Sequence, residues 1–296
     1  MTHEPMIPIL LDTDIGSDID DAVCLAYLLR QPRCELLGIT TVTGEAQKRA
    51  MLADAVCRAA GRTDIPIHSG AEQPFLISQQ QAQAPQSEIL PDFPHRNDFA
   101  PNTAVEFLRQ TIRSRPGEIT LLTIGPLTNI GLLFALDPEV AGMLKGLVLM
   151  SGIFTTGGSG AREWNTMGDP HASAIVYRAP VAPHISIGLD VTMQCRMDTQ
   201  QCRQRLHGGP LDVVAKMAEV WFRGVGHITF HDPLAATVIF QPDLCRYQDG
   251  TVDIELASPA VPGMALWNPH TDPKPHRIAV EVDAERFFEH YFAVTT

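Results

Sequence analysis

The chain has 296 residues, 45% hydrophobic and 19% charged, a balance that excludes both a disordered chain and a membrane-embedded one. Its formal net charge of -12 argues against nucleic acid held by its phosphates and favours a small neutral ligand, or one held through a bound cation. The start of the chain lacks the basic-then-apolar pattern of a secretory leader, no apolar run is long enough for a membrane span, and the six cysteines (Cys24, Cys34, Cys57, Cys195, Cys202, Cys245) form no C-x-x-C pair, so a cytoplasmic protein with reduced core cysteines is expected.

The first apolar run, 7–11, has the composition of a strand buried on both faces. It opens directly into Asp12-Thr13-Asp14-Ile15-Gly16-Ser17-Asp18-Ile19-Asp20-Asp21, five carboxylates in ten positions. A helix is expected from Asp20, with Val23, Ala26, Tyr27 and Leu29 on its packed face. Helix capping accounts for aspartates at the helix start but not for Asp12 and Asp14, which lie upstream on the strand. Like charges this close repel unless a cation sits among them, and a hard divalent ion with oxygen ligands is the simplest candidate. Zinc is disfavoured because no histidine or cysteine adjoins the aspartates.

Further along, a strand is expected at 36–42 and a helix at 46–60. A polar, proline-punctuated stretch from Ser78 to Asn97 follows, which reads either as a lid or as a disordered connection. A helix at 102–113 and a strand at 119–124 come next. Gly125-Pro126 then turns the chain into a helix at 127–135 and leaves a strand-end carbonyl free to join an oxygen cage, although an ordinary strand-to-helix turn has the same sequence signature. After a strand at 146–150, the glycine-rich segment 157–160 leads to Glu163 and Asn165, side chains suited to gripping hydroxyls. A helix at 170–178 and a strand at 184–189 precede His227 and the pair His231-Asp232, which reads as either structural or catalytic. Trp221, Phe222 and Phe230, just upstream, either stack on a base or pack in the core.

Short apolar runs alternating with helices define an α/β fold with a mainly parallel sheet, in which ligands bind beyond the carboxyl ends of the strands. No strong internal boundary or repeat divides the chain, so residues 1–296 are read as a single domain.

The ordered set Asp12-Thr13-Asp14-Ile15-Gly16 to Asp20-Asp21-Ala22, Ile124-Gly125-Pro126-Leu127-Thr128-Asn129, Glu163-Trp164-Asn165 and His231-Asp232-Pro233 resembles the inosine-uridine preferring nucleoside hydrolase family from end to end. The resemblance implies a Rossmann-like open sheet flanked by helices, a calcium-dependent N-ribohydrolase and a homodimer or homotetramer acting on a small ribonucleoside. It implies Asp14, Asp21, Asp232 and the Ile124 carbonyl as Ca²⁺ ligands, Asp14 also as the base for the attacking water, and Asp20, Glu163 and Asn165 as ribose contacts. His231 is placed near the leaving base, with His227 as its alternative.

The chain departs from the family's usual pattern at several points. Ile15 replaces a proline, and two additional residues before Asp20-Asp21 leave Asp18 as a rival for one of the aspartate roles. Glu45 and Gly157 stand where asparagines are common, and His171 where a glutamate is usual. Two other readings remain at this level. One is a metal-dependent phosphohydrolase using Asp12-Thr13-Asp14, and the other a nucleoside-binding protein of the same fold without activity.

Overall fold

In the first strand, β1 (Ile7–Thr13), Ile9 and Leu11 point into one hydrophobic cluster while Leu10 points into another. That period of two is the geometry of a strand covered on both faces. The computed structural model describes residues 5–156 and 160–296. After β1 come α1 (Asp20–Arg30), β2 (Cys34–Thr41), α2 (Ala46–Ala59), β3 (Ile67–Ser69) and α3 (Ala104–Ser114). The middle of the chain forms β4 (Thr120–Thr123), α4 (Thr128–Leu136), β5 (Gly146–Met150), α5 (Trp164–Gly168), α6 (Pro170–Arg178), β6 (His184–Ile187) and α7 (Leu189–Thr192). It ends with β7 (Arg196–Asp198), α8 (Thr199–Arg205), α9 (Pro210–Trp221), β8 (His227–Thr229), α10 (His231–Thr237), β9 (Cys245–Ile254), β10 (Ala265–Asn268), β11 (His276–Val282) and α11 (Ala284–Thr295).

Nine strands form one sheet in the order β10-β9-β11-β6-β5-β4-β1-β2-β3, while β7 and β8 make a separate antiparallel pair. The sheet is parallel from β3 through β11, and β9 and β10 close its far edge antiparallel. The chain leaves β1 toward β2 and β3, then returns to the other side of β1 as β4. The order therefore reverses between β1 and β4, and such a switch point opens a crevice at the strands' carboxyl ends. Pairing of Asp12 with both Thr40 and Thr123 brings those ends level.

Helices α1, α2, α9, α10 and α11 cover the face served by Ile9 and Leu11, and α3, α4 and α6 the face served by Leu10. α1 is buried from Asp20 to Leu28 because α9, α10 and α11 pack over it. Tyr291 stacks on Tyr27 with ring centroids 5.7 Å apart and donates its hydroxyl to the Val23 carbonyl at 3.0 Å.

The stretch from Ser78 to Asn97 is no structureless connection. It holds a 3₁₀ helix over Pro85–Asp92, and Ile89 and Leu90 are buried in the same cluster as α1. The strand expected at 184–189 stops at Ile187, where Gly188 begins the turn into α7. The antiparallel edge was not expected, because β9 alternates buried and exposed positions and has no apolar run to announce it.

His184 lies opposite His276 across the β6–β11 pairing and stacks on Tyr177 at 5.0 Å. Both of its ring nitrogens are buried without a hydrogen-bond partner among the described residues. Burial, helped by the neighbouring His276, pushes its pKa down to about 3. An unfolded histidine gains its proton near pH 6.5, whereas His184 stays neutral in the fold. It therefore costs no stability above pH 6.5 and progressively more as the pH falls from there toward 3. His184→Phe keeps the stack and removes that cost. Urea unfolding at pH 7.5 and 4.5 should show the variant losing roughly 2–3 kcal/mol less than the parent between the two. Equal losses would contradict this.

Candidate active site

The aspartate run folds as a turn joining β1 to α1. Gly16 takes φ +120°, and a Cβ there would lie 2.8 Å from Leu52 Cδ1, so glycine is required. The Thr13 hydroxyl donates to Asp21 Oδ1 and in turn accepts from the Ile15 amide at 3.1 Å. The Asp14 amide also donates to Asp21 Oδ1, at 3.2 Å. Asp20 Oδ2 accepts the Asp232 amide at 3.2 Å, tying the start of α1 to the start of α10.

Asp20, Asp21 and Asp232 consequently converge, their ligating oxygens all within 4.8 Å of one another and all buried. Asp14 and Asp18 line the same cleft. Burial, with repulsion from the neighbouring carboxylates, raises the pKa of Asp20, Asp21 and Asp232 well above the usual range. Burial likewise raises Asp14, opposed by the Arg49 charge, and pushes Asp18 up to about 6. A cation among these carboxylates would favour their anionic form and offset the repulsion. The donors of this cluster are oxygens alone, the set a hard divalent ion takes.

The opposite wall comes from β4 and β5. Gly125 lets the chain pass close to Asp14, since a Cβ there would stand 2.8 Å from Asp14 Oδ1. Asn165 Nδ2 donates to the Ile124 carbonyl at 2.9 Å and to the Met150 carbonyl at 3.0 Å, aligning two strand ends. Glu163 caps α5, accepting the amides of Asn165 at 2.6 Å and Thr166 at 3.0 Å, and it also accepts the Gly152 amide at 3.0 Å. Both residues line the cleft, so each organises the loop as well as facing the cavity.

The cleft has a volume of about 470 Å³ and reaches to Leu189, Trp221 and His231. Trp221 lines it while donating its indole N–H to the His227 carbonyl at 2.8 Å. Phe230 is fully buried in the core against α11, and Phe222 lies under the Arg203 guanidinium. His231 Nδ1 shares a 2.7 Å hydrogen bond with the Thr192 hydroxyl. Burial, then the nearby His227, lowers the His231 pKa to about 4, so the ring is neutral at neutral pH.

His227 and Glu45, both flagged in the sequence, do not line the cleft. His227 pairs with Arg196 at 2.7 Å, and Glu45 is tied to Lys48 at 2.6 Å and to the Ala84 amide at 2.8 Å. Gly157 lies outside the described residues. The sequence reading missed Gln80 and Gln81, which project from the 78–97 stretch into the cleft, Gln81 accepting the Trp164 indole N–H at 3.0 Å. It also missed the place of Asn129. That side chain donates to Asp12 Oδ1 at 2.7 Å and to the Thr41 carbonyl at 3.0 Å, and accepts the Ala71 amide at 2.9 Å, lacing three strand ends together. Only its spacing from the Gly-Pro turn, Gly125 to Asn129, could have pointed there.

A switch-point crevice floored by aspartates is where an α/β protein can hold a divalent cation together with a small ligand. The inosine-uridine preferring nucleoside hydrolase profile matches residues 9–289, and the chain belongs to that family. Uridine nucleosidase 1 of Arabidopsis thaliana is 29% identical, covering 97% of this chain and 92% of its own length. The pyrimidine-specific ribonucleoside hydrolase RihA of Escherichia coli is also 29% identical, covering 96% of each. Among solved structures, the plant nucleoside hydrolase PpNRh1 superposes with a TM-score of 0.85 at 25% identity over 99% of both chains. The chain is thus a hydrolase of the N-glycosidic bond of ribonucleosides.

Proposed function

We propose that the cleft hydrolyses a ribonucleoside with Ca²⁺ held by Asp14, Asp21, Asp232 and the Ile124 carbonyl. The observation that carries this reading is the convergence of Asp20, Asp21 and Asp232 beside Asp14 at the foot of β1, facing the strand end that Asn165 aligns. Bound there, calcium supplies an anchor for the sugar hydroxyls and Lewis-acid polarisation of the attacking water.

The side chains divide the remaining work. Asp14 takes a proton from the water that attacks the anomeric carbon, while the bond to the base nitrogen breaks and its electron pair leaves with the base. Asp20 accepts a ribose hydroxyl, and Glu163 and Asn165 use their remaining acceptor capacity on the others. The carboxylate floor stabilises the positive charge that develops on the sugar ring. With the Thr192 hydroxyl donating to Nδ1, neutral His231 presents its Nε2–H as a hydrogen bond to the departing base anion, which takes its proton from water. Asp18 is the spare carboxylate, already engaged with the Ile19 amide at 2.6 Å.

The family relatives named for uridine and pyrimidines make uridine the first substrate to test. Among the described residues no lysine lines the cleft, which counts against a phosphohydrolase. We also take residues 1–296 as one domain, the oligomer as a homodimer or homotetramer measurable by sedimentation, and the location as cytoplasmic, where six buried free cysteines stay reduced. No described helix is long and apolar enough to cross a membrane.

The test is release of free ribose from a nucleoside panel. Chelator should abolish it and added Ca²⁺ restore it. Asp14→Ala should fall to background while keeping its fold, and Asp18→Ala should retain most activity. A dead Asp18→Ala beside an active Asp20→Ala would reverse the roles of these two aspartates.

His231→Ala should lower uridine turnover by at least roughly tenfold, within the span of a lost hydrogen bond to a charged group. It should spare a p-nitrophenyl riboside, whose leaving group needs no proton. Equal losses on both substrates would make His231 structural.

A further inference from the structure

Arg49, on α2, is the largest fully buried side chain among the described residues, and it lies directly beneath the aspartate turn. A buried guanidinium is costly unless its donors are satisfied. Here Nε donates to the Gly44 carbonyl at 2.8 Å, and Nη1 to the carbonyls of Asp14 and Ile15 (3.2 Å for the latter) and to the Ser17 hydroxyl at 3.0 Å. Nη2 donates to the Gln83 carbonyl at 2.9 Å. These acceptors belong to three separate segments: the β2–α2 turn, the aspartate turn and the strap that carries Gln80 and Gln81 over the cleft.

Other bonds join the same pieces. The Ser17 hydroxyl donates to the Gln83 carbonyl at 3.3 Å, the Gln86 amide to the Gly16 carbonyl at 3.0 Å, and the Gln86 side chain to the carbonyls of Ser17 and Asp18 at 3.0 and 3.1 Å. Only the flat fork of an arginine reaches all three segments at once, because its donors point in fixed, divergent directions.

We propose that Arg49 is a positioning residue: it grips the Asp14–Ile15 backbone from behind and clamps the 79–86 strap to that backbone, so that the Asp14 carboxylate and the Gln80-Gln81 edge of the cleft hold one fixed relation. The proposal rests on the reading of Asp14 as the water-activating base. Misplacing a reacting group by about 1 Å costs on the order of 10²-fold in rate. Turnover therefore depends on a side chain that touches no substrate.

The test compares Ca²⁺-loaded parent, Arg49→Lys and Arg49→Ala for kcat and KM on uridine, and for amide hydrogen exchange across 80–86. Arg49→Lys keeps the charge but loses the fork, and its kcat should fall at least roughly tenfold. Exchange in the strap should speed up by a similar factor, with a folded circular dichroism spectrum. Millimolar methylguanidinium should recover much of the lost kcat in Arg49→Ala and nothing in Arg49→Lys. A kcat within threefold of the parent, or a loss matched by the unfolded fraction with unchanged strap exchange, would overturn the proposal.

Should neither variant fold, Ser17→Ala removes one acceptor of the fork and its link to Gln83. It should lower kcat severalfold and loosen the strap, and parent-like values for both would overturn the proposal. Asp14→Asn separates the two readings. If it retains turnover, the role of Asp14 fails, while strap exchange in the Arg49 variants still decides whether the clamp exists.

Discussion

Mutual repulsion among buried carboxylates governs the architecture at the carboxyl end of the sheet. Asp14, Asp20, Asp21 and Asp232 sit where water cannot screen them, and each is pushed toward the protonated form by burial, three of them further by their neighbours. Removing any one would ease the crowding, so the group is retained at a cost to the fold. Such strain is characteristic of a site that exists to receive a cation.

The surrounding structure offsets part of that cost with dipoles and one fixed positive charge. α1 and α10 both start at the cluster, placing Asp20, Asp21 and Asp232 in first turns, where the helix dipole favours negative charge. Thr13 and the amides of Asp14 and Asp232 donate to the carboxylates, and Arg49 supplies the countercharge from below. The switch point between β1 and β4 makes this convergence geometrically possible, because it leaves the two strand ends free to open a crevice.

Much of this was legible along the chain because the signals are local. The run from Asp12 to Asp21 follows an apolar strand directly, so strand, turn and helix start could be read together, and the parallel core followed from apolar runs alternating with helices. What escaped depends on tertiary contact. Nothing in the helix expected over 46–60 singles out Arg49, which is wholly buried because the aspartate turn and the strap close over it. Glu163 reads as a hydroxyl ligand, and glutamate is not a favoured N-cap, so its capping of α5 had no sequence signature. β9 was hidden by the polar alternation natural to a strand near a sheet's edge.

The most direct measurement is the anomalous signal from crystals of the enzyme grown with Ca²⁺. The account requires one strong peak in the cleft, about 2.3–2.6 Å from oxygens of Asp14, Asp21, Asp232 and Ile124, the range calcium takes with oxygen ligands. A peak held by histidine or cysteine, or none between Asp21 and Asp232 at saturating calcium, would contradict it.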